Sequence, residues 1–177
     1  MSEKDTSNEL REDRRQIADE NGAPGTQRKS GKAERGFLRI LFFLIQWTWG
    51  LPVNLIGLVV YLIFYGKCRH ERFHNARITY LPWKFGGLST GLFIFMADGK
   101  DPHWTYNTRI HEYGHTIQCL LLGPLYWFVI GLPSAVWCNF FAGYRERHGV
   151  SYYKLYCESW ANRWGEKWSR ETRDEIS

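Results

Sequence analysis

No two of the four cysteines, Cys68, Cys119, Cys138 and Cys157, stand in a CxxC pair, and two of them lie within or at the edge of an apolar run. They read as reduced, packed thiols rather than a disulfide framework, which belongs to shorter secreted chains. The first 36 residues lack an apolar stretch of the kind a signal peptide carries, so the N-terminus is expected to stay in the cytoplasm. Charge of one sign is also missing there, with eight Lys/Arg against eight Asp/Glu. The net charge of +5 therefore comes from the rest of the chain. No stripe of basic residues interleaved with aromatics follows one helix or strand, which sets nucleic acid aside as a partner. Internal repeats are absent apart from a Gly-Leu-Pro shared by two apolar runs.

What the chain has in abundance is aromatic rings: 9 Trp, 10 Tyr and 11 Phe in 177 residues. Such rings collect where an apolar body meets a wet edge, as at a membrane interface. The excess of cations suits anionic lipid headgroups, so the expected partner is a lipid bilayer. The length accommodates one domain. Residues 1–36 have almost no aliphatic pattern and read as a disordered polar tail, and residues 37–177 as a single membrane-embedded domain.

Within that domain, Phe37 to Tyr65 form a 29-residue apolar stretch, longer than the roughly 20 residues a helix needs to cross a bilayer. Gly50, Pro52 and Asn54 near its middle either kink one helix or turn two half-helices into a re-entrant hairpin. Residues 77–97, rich in β-branched and aromatic side chains around Gly86-Gly87, predict a β-hairpin or two short strands. A helix is expected over 105–122, stopped by Gly123-Pro124. A second apolar run covers 124–142, again with Gly131-Leu132-Pro133 near its centre, and a polar, aromatic helix is expected over 151–168.

The helix over 105–122 carries His111-Glu112-Tyr113-Gly114-His115. Residues four apart on a helix face the same way, so two imidazoles can converge on one ion, and the Glu beside the first His can take a proton from an activated water. The pattern occurs twice, however, because His70-Glu71-Arg72-Phe73-His74 also fits. That copy places a permanent cation, Arg72, where it would oppose a metal dication. His70 and His74 are therefore read as surface histidines near the headgroups, and His111 and His115 as zinc ligands with Glu112 as general base. The competing reading of His111 and His115 is an interfacial pair bonded to backbone or water.

Two histidines fall short of the three protein ligands of a catalytic zinc site. Positions three and six after His115 are Gln118 and Leu121, so a third histidine on the same helix is excluded and a distant acid on a second helix remains open. Here a resemblance helps. The HEYGH segment followed by Glu158-Ser159-Trp160-Ala161-Asn162 resembles the HExGH and ExxAD pair of the gluzincin membrane peptidases, which include the CAAX prenyl endopeptidases and bacterial membrane-quality-control peptidases. The resemblance implies Glu158 as third zinc ligand and Asn162 as the residue that orients a ligand histidine. Asn replaces the family's Asp, and a carboxamide accepts from an imidazole N–H without the charge that raises ligand basicity. HEYGHTIQ with LGPLYWFVIGLPS is also similar to a group of small bacterial membrane proteins, over roughly residues 85–165. The family's substrate-aligning edge strand would correspond to Gly91 to Ala97. Apart from the resemblance, Glu158 reads as a surface carboxylate paired with Lys154 one turn earlier.

The expected fold is thus a mainly α membrane protein with a small β-hairpin, its two apolar segments, spanning or re-entrant, flanking a minimal zincin-like helix. The expected activity is zinc-dependent hydrolysis of a peptide or membrane-protein substrate, with Tyr152, Tyr153, Tyr156 and His148 available to polarise the carbonyl. A scaffold with a structural metal or none is the alternative. If the 124–142 run crossed the bilayer, His115 and Glu158 would lie on opposite sides, so a shared ion demands that this run turn back. The even spread of Lys/Arg, eight before the first run, seven between the runs and seven after the second, agrees with soluble parts all facing the cytoplasm of a bacterial inner membrane.

Overall fold

The computed structural model describes residues 24–84 and 86–171. The chain divides into two units, residues 1–41 and 42–177. Within the first lies the start of helix α1 (Pro24–Thr48), so part of the expected disordered tail is helical. Pro24 at its start has a φ suited to a first turn, and the helix runs on into the apolar stretch. Residues 1–23 of that tail lie outside the described residues.

The second unit is mainly helical with a small mixed sheet. After α1 the chain bends by 89° into α2 (Leu51–Phe64), with Pro52 in its first turn. The Gly50-Leu51-Pro52 break is held by a buried polar knot. Asn54 Nδ2 donates to the Gln46 and Gly50 carbonyls and to Gln46 Oε1, at 2.8, 2.9 and 2.8 Å. Its Oδ1 accepts from Leu92 N at 2.7 Å. Gln46 in turn donates to the Thr116 carbonyl. Polar groups in this apolar run therefore tie the bend to the rest of the unit, which removes the cost of burying them.

Where a hairpin or two short strands were expected over 77–97, the sheet has four strands: β1 (Arg69–Phe73), β2 (Ala76–Leu81), β3 (Gly87–Thr90) and β4 (Phe93–Ala97). Their order is β1-β2-β4-β3. The β1–β2 and β3–β4 pairs are antiparallel and β2–β4 is parallel. β1 was hidden in the sequence because four of its five residues are polar or charged and their burial does not alternate. His74 takes a positive φ of 50° in a two-residue turn between paired Phe73 and Ala76, the geometry that matches strand twist. His70 and His74 thus lie on a strand and its turn, where four residues span roughly 13 Å and the imidazoles diverge. His70 bonds Thr79 Oγ1, and His74 faces Glu171.

Every residue of β4 is buried, because the strand is covered on both faces. On one side Ile94 and Met96, with Ile78 and Tyr80 of β2, pack on Ile110, Tyr113 and Ile117. On the other, Phe93 and Phe95 meet Phe42, Phe43, Leu58 and Tyr61. With partners on both edges, β4 offers no free edge, so Gly91 to Ala97 is not the edge strand expected of it. The outer strand on that side is β3.

Asp101 caps α3 (Pro102–Leu122), accepting from Trp104 N, with Pro102 at the first position. The helix stops where expected, at Gly123, whose φ of +52° closes the last turn. The chain then bends by 116° and runs through a π-turn (Trp127–Gly131) directly into α4 (Leu132–Phe140). The expected turn at Gly131-Leu132-Pro133 is absent. Gly131 is itself helical, and Pro133 sits in a first turn where it needs no N–H partner, so the break falls at Gly123-Pro124. A short α5 (Ala142–His148), a single 3-10 turn (Tyr152–Lys154) and α6 (Tyr156–Ser169) follow. Among the described residues no single helix is long and apolar enough to cross a membrane. Two bent pairs, Gly36–Thr48 with Leu51–Phe64 and Pro102–Leu125 with Trp127–Phe140, are so by length and composition.

Candidate metal centre

Helices α3 and α6 approach so closely that side chains are excluded at the crossing. A Cβ on Gly114 would collide with the Ala161 carbonyl, and one on Gly165 with the Ile110 carbonyl. The two contacts are each four residues apart along their helices, one turn, so the helices touch backbone to backbone over a full turn. The neighbouring pairs 111/115 and 158/162 are then brought face to face.

What meets there is a buried cluster of His111, His115 and Glu158, whose ligand atoms all lie within 4.8 Å of one another and which could hold a metal ion. Glu158 Oε2 is 3.0 Å from His111 Nε2 and 3.5 Å from His115 Nε2. The two Nε2 atoms are 3.2 Å apart. Glu158 is fully buried, so its reading as a surface partner of Lys154 does not hold. The outer nitrogens are both engaged: His111 Nδ1 with Asn162 Oδ1 and His115 Nδ1 with Gln118 Oε1, each at 2.6 Å. If each Nδ1 carries the proton, three lone pairs converge on one point with no donor among them. Glu158 Oε2 is accordingly a buried oxygen without a hydrogen-bond partner, an arrangement that a cation satisfies.

Without a cation a proton must serve instead. Burial works against a charged His115, but the Glu158 carboxylate outweighs it and pushes the imidazole pKa up to about 9. For Glu158, burial favours the neutral acid, yet the two imidazoles hold the carboxyl well below the usual range. Below pH 9 the metal-free site is thus an imidazolium–carboxylate pair, and an entering metal must displace that proton. Apparent metal affinity should fall by about tenfold per pH unit below that value, which competition titrations at several pH values would read as a slope of one. A flat profile would mean that His115 holds no proton for the metal to displace in this range.

Glu112 is buried beside the cluster. Ser89 Oγ lies 2.8 Å from its Oε2 and 2.7 Å from its backbone carbonyl, so β3 holds the carboxylate from the side. Gly87, also on β3, leaves the room the carboxylate occupies, since a Cβ there would strike Glu112 Oε1. Neither Ser89, Gly87 nor Gln118 was singled out from sequence. Only the packing of α3 against β3 and α6 gives them their roles. Of the four carbonyl-polarising candidates, Tyr153 packs edge-on against a ligand histidine, its ring centroid 5.3 Å from that of His111. Tyr152 bonds Ser134 Oγ, Tyr156 bonds the Val129 carbonyl, and His148 packs on Tyr144. Among known proteins the chain matches no family model, no curated protein and no solved structure.

Proposed function

We propose that this chain is a membrane-associated zinc metallopeptidase of the gluzincin type. The observation that carries the reading is the buried meeting of His111, His115 and Glu158, with the buried Glu112 carboxylate close enough for its charge to act on His115. Two nitrogens and one oxygen, which leave the fourth position of a tetrahedral ion to water, are the donor set of a catalytic rather than a closed structural zinc site. Zinc held there by His111, His115 and Glu158 would supply Lewis acidity, lowering the pKa of a water and polarising a scissile carbonyl. Glu112 accepts the water proton and returns it to the departing amine, and Ser89 keeps its carboxylate aimed while it does so. β3 runs beside Glu112 as the outer strand of the sheet. An extended peptide laid along it gains backbone hydrogen bonds that set its register. Tyr153, whose ring packs against His111, is the side chain we assign to steady the carbonyl oxygen.

Association with a bilayer is supported by the apolar side chains left outside. Phe128 and Phe140 are 72% and 81% exposed, and Leu44, Leu55, Ile56, Val59, Leu62 and Ile63 are exposed along the first bent pair. Exposed apolar side chains gathered in this way mark a surface made for a membrane or a partner. The bent pairs suit entry and return on one side, consistent with a site facing the cytoplasm at a bacterial inner membrane. Purified in detergent, the parent chain should carry about one zinc per chain and cleave peptides presented at a lipid surface, and His111→Ala should lose both. A chain that takes up no zinc sinks the proposal.

A further inference from the structure

Gln118 follows the motif by three residues and is completely buried. Its carboxamide has two ends, and the structure distinguishes them. The Nε2 end lies 2.8 Å from the Cys157 carbonyl, an acceptor only, so it must be the NH2 group. The opposite end is then Oε1, which lies 2.6 Å from His115 Nδ1 and cannot donate. His115 Nδ1 must therefore carry the hydrogen, and in the neutral imidazole that leaves the Nε2 lone pair on the side of Glu158 and His111. A peptide carbonyl on α6 in this way dictates the tautomer of an imidazole on α3.

We propose that Gln118 is a positioning residue for the metal centre: it fixes His115 in the tautomer that presents Nε2 to the ion and ties it to the turn that carries Glu158. The inference rests on the zinc reading above. It pairs Gln118 with Asn162, which lies 2.6 Å from His111 Nδ1, so that both histidines are oriented by neutral amides. Orientation matters because an imidazole free to rotate or change tautomer spends part of its time with the wrong nitrogen facing the metal. The link to Cys157 matters too. Cys157 immediately precedes Glu158, and the Gln118 bridge therefore sets the spacing of two ligands that come from different helices. No other side chain bonded to a ligand histidine reaches from α3 to the α6 backbone among the described residues.

The test compares the parent chain with Gln118→Leu and Gln118→Glu, using zinc with a competing chelator and the Nδ1–H proton signals of the zinc-loaded samples. Leucine removes both hydrogen bonds, whereas glutamate keeps an oxygen for His115. Zinc affinity should drop by about 10- to 100-fold in Gln118→Leu, and in Gln118→Glu it should stay closer to the parent. The slowly exchanging His115 Nδ1–H should persist in the parent and in Gln118→Glu and vanish in Gln118→Leu. The His111 Nδ1–H, bonded to Asn162, should remain in all three and serves as an internal check on folding. Equal zinc affinity in the parent and Gln118→Leu overturns the positioning role and leaves the zinc reading standing. A His115 Nδ1–H signal that persists unchanged in Gln118→Leu overturns it likewise. A parent chain that binds no zinc overturns both.

Discussion

Replacing Gly114 by alanine should unfold the metal centre more completely than removing any one ligand. The added methyl group meets the Ala161 carbonyl oxygen, part of a helix backbone and not the yielding tip of a side chain. Overpacking a core costs about 1–3 kcal/mol and sometimes more, and this contact belongs at the upper end because neither helix can rotate away. Gly165 presses on Ile110 one turn along. The helices can only move apart, and Glu158 then leaves the two imidazoles on the opposite helix. A loss of about 3 kcal/mol lowers the unfolding midpoint by roughly 6–12 °C in a chain of this size, and zinc binding should become undetectable. Gly143→Ala is the control, since a Cβ there meets nothing and alanine favours a helix. Thermal unfolding and zinc titration of the two variants give the answer. A Gly114→Ala chain that binds zinc like the parent would mean that α3 and α6 do not cross as described.

The same crossing shows which parts of the site were legible in the sequence. His111, Glu112 and His115 could be read because one helix repeats its faces every four residues, so their convergence is local. Glu158 is 43 positions beyond His115 by residue number, and no periodicity connects them. Only a resemblance to a known pair of motifs brought it in, and its burial against both imidazoles is what makes that assignment physical. The glycine of HEYGH was legible as a letter but not as a contact, because what it makes room for is another helix.

The false copy of the motif is equally instructive. Arg72 argued against a metal at His70 and His74 on electrostatic grounds, and the structure adds a geometric reason: these residues lie on β1 and its turn, where a spacing of four carries no common focus. β1 itself was missed because a strand whose polar side chains are used does not alternate visibly. Arg69 stacks on Tyr80, and Glu71 accepts from the Tyr80 hydroxyl. The position of the second bend was misjudged for a related reason. Gly-Leu-Pro breaks the first apolar run, where Asn54 and Gln46 reward the bend with buried hydrogen bonds. In the second run the same three residues simply begin a helix, and Gly123-Pro124 makes the bend. A turn signal states where the backbone is free to break, and tertiary partners decide whether it does.

Glu112→Gln separates catalysis from metal holding. The substitution keeps the size of the side chain, and the glutamine oxygen can still accept from Ser89 Oγ, which lies 2.8 Å from Glu112 Oε2 in the parent. Neither His111, His115 nor Glu158 is touched, so zinc should remain at one per chain and the unfolding midpoint should shift little. What disappears is a base, since an amide cannot take the water proton. Hydrolysis should fall by about 10²- to 10⁴-fold, the contribution of a positioned general base. A scaffold with a structural ion predicts something different, because such a site has no use for a proton acceptor beside the metal and the variant would behave as the parent in every assay. Zinc content, unfolding and peptide cleavage measured on one preparation therefore divide the two readings. Cleavage at the parental rate by a zinc-loaded Glu112→Gln chain would take the general base away from Glu112, and loss of zinc along with activity would make the carboxylate part of the metal's own support.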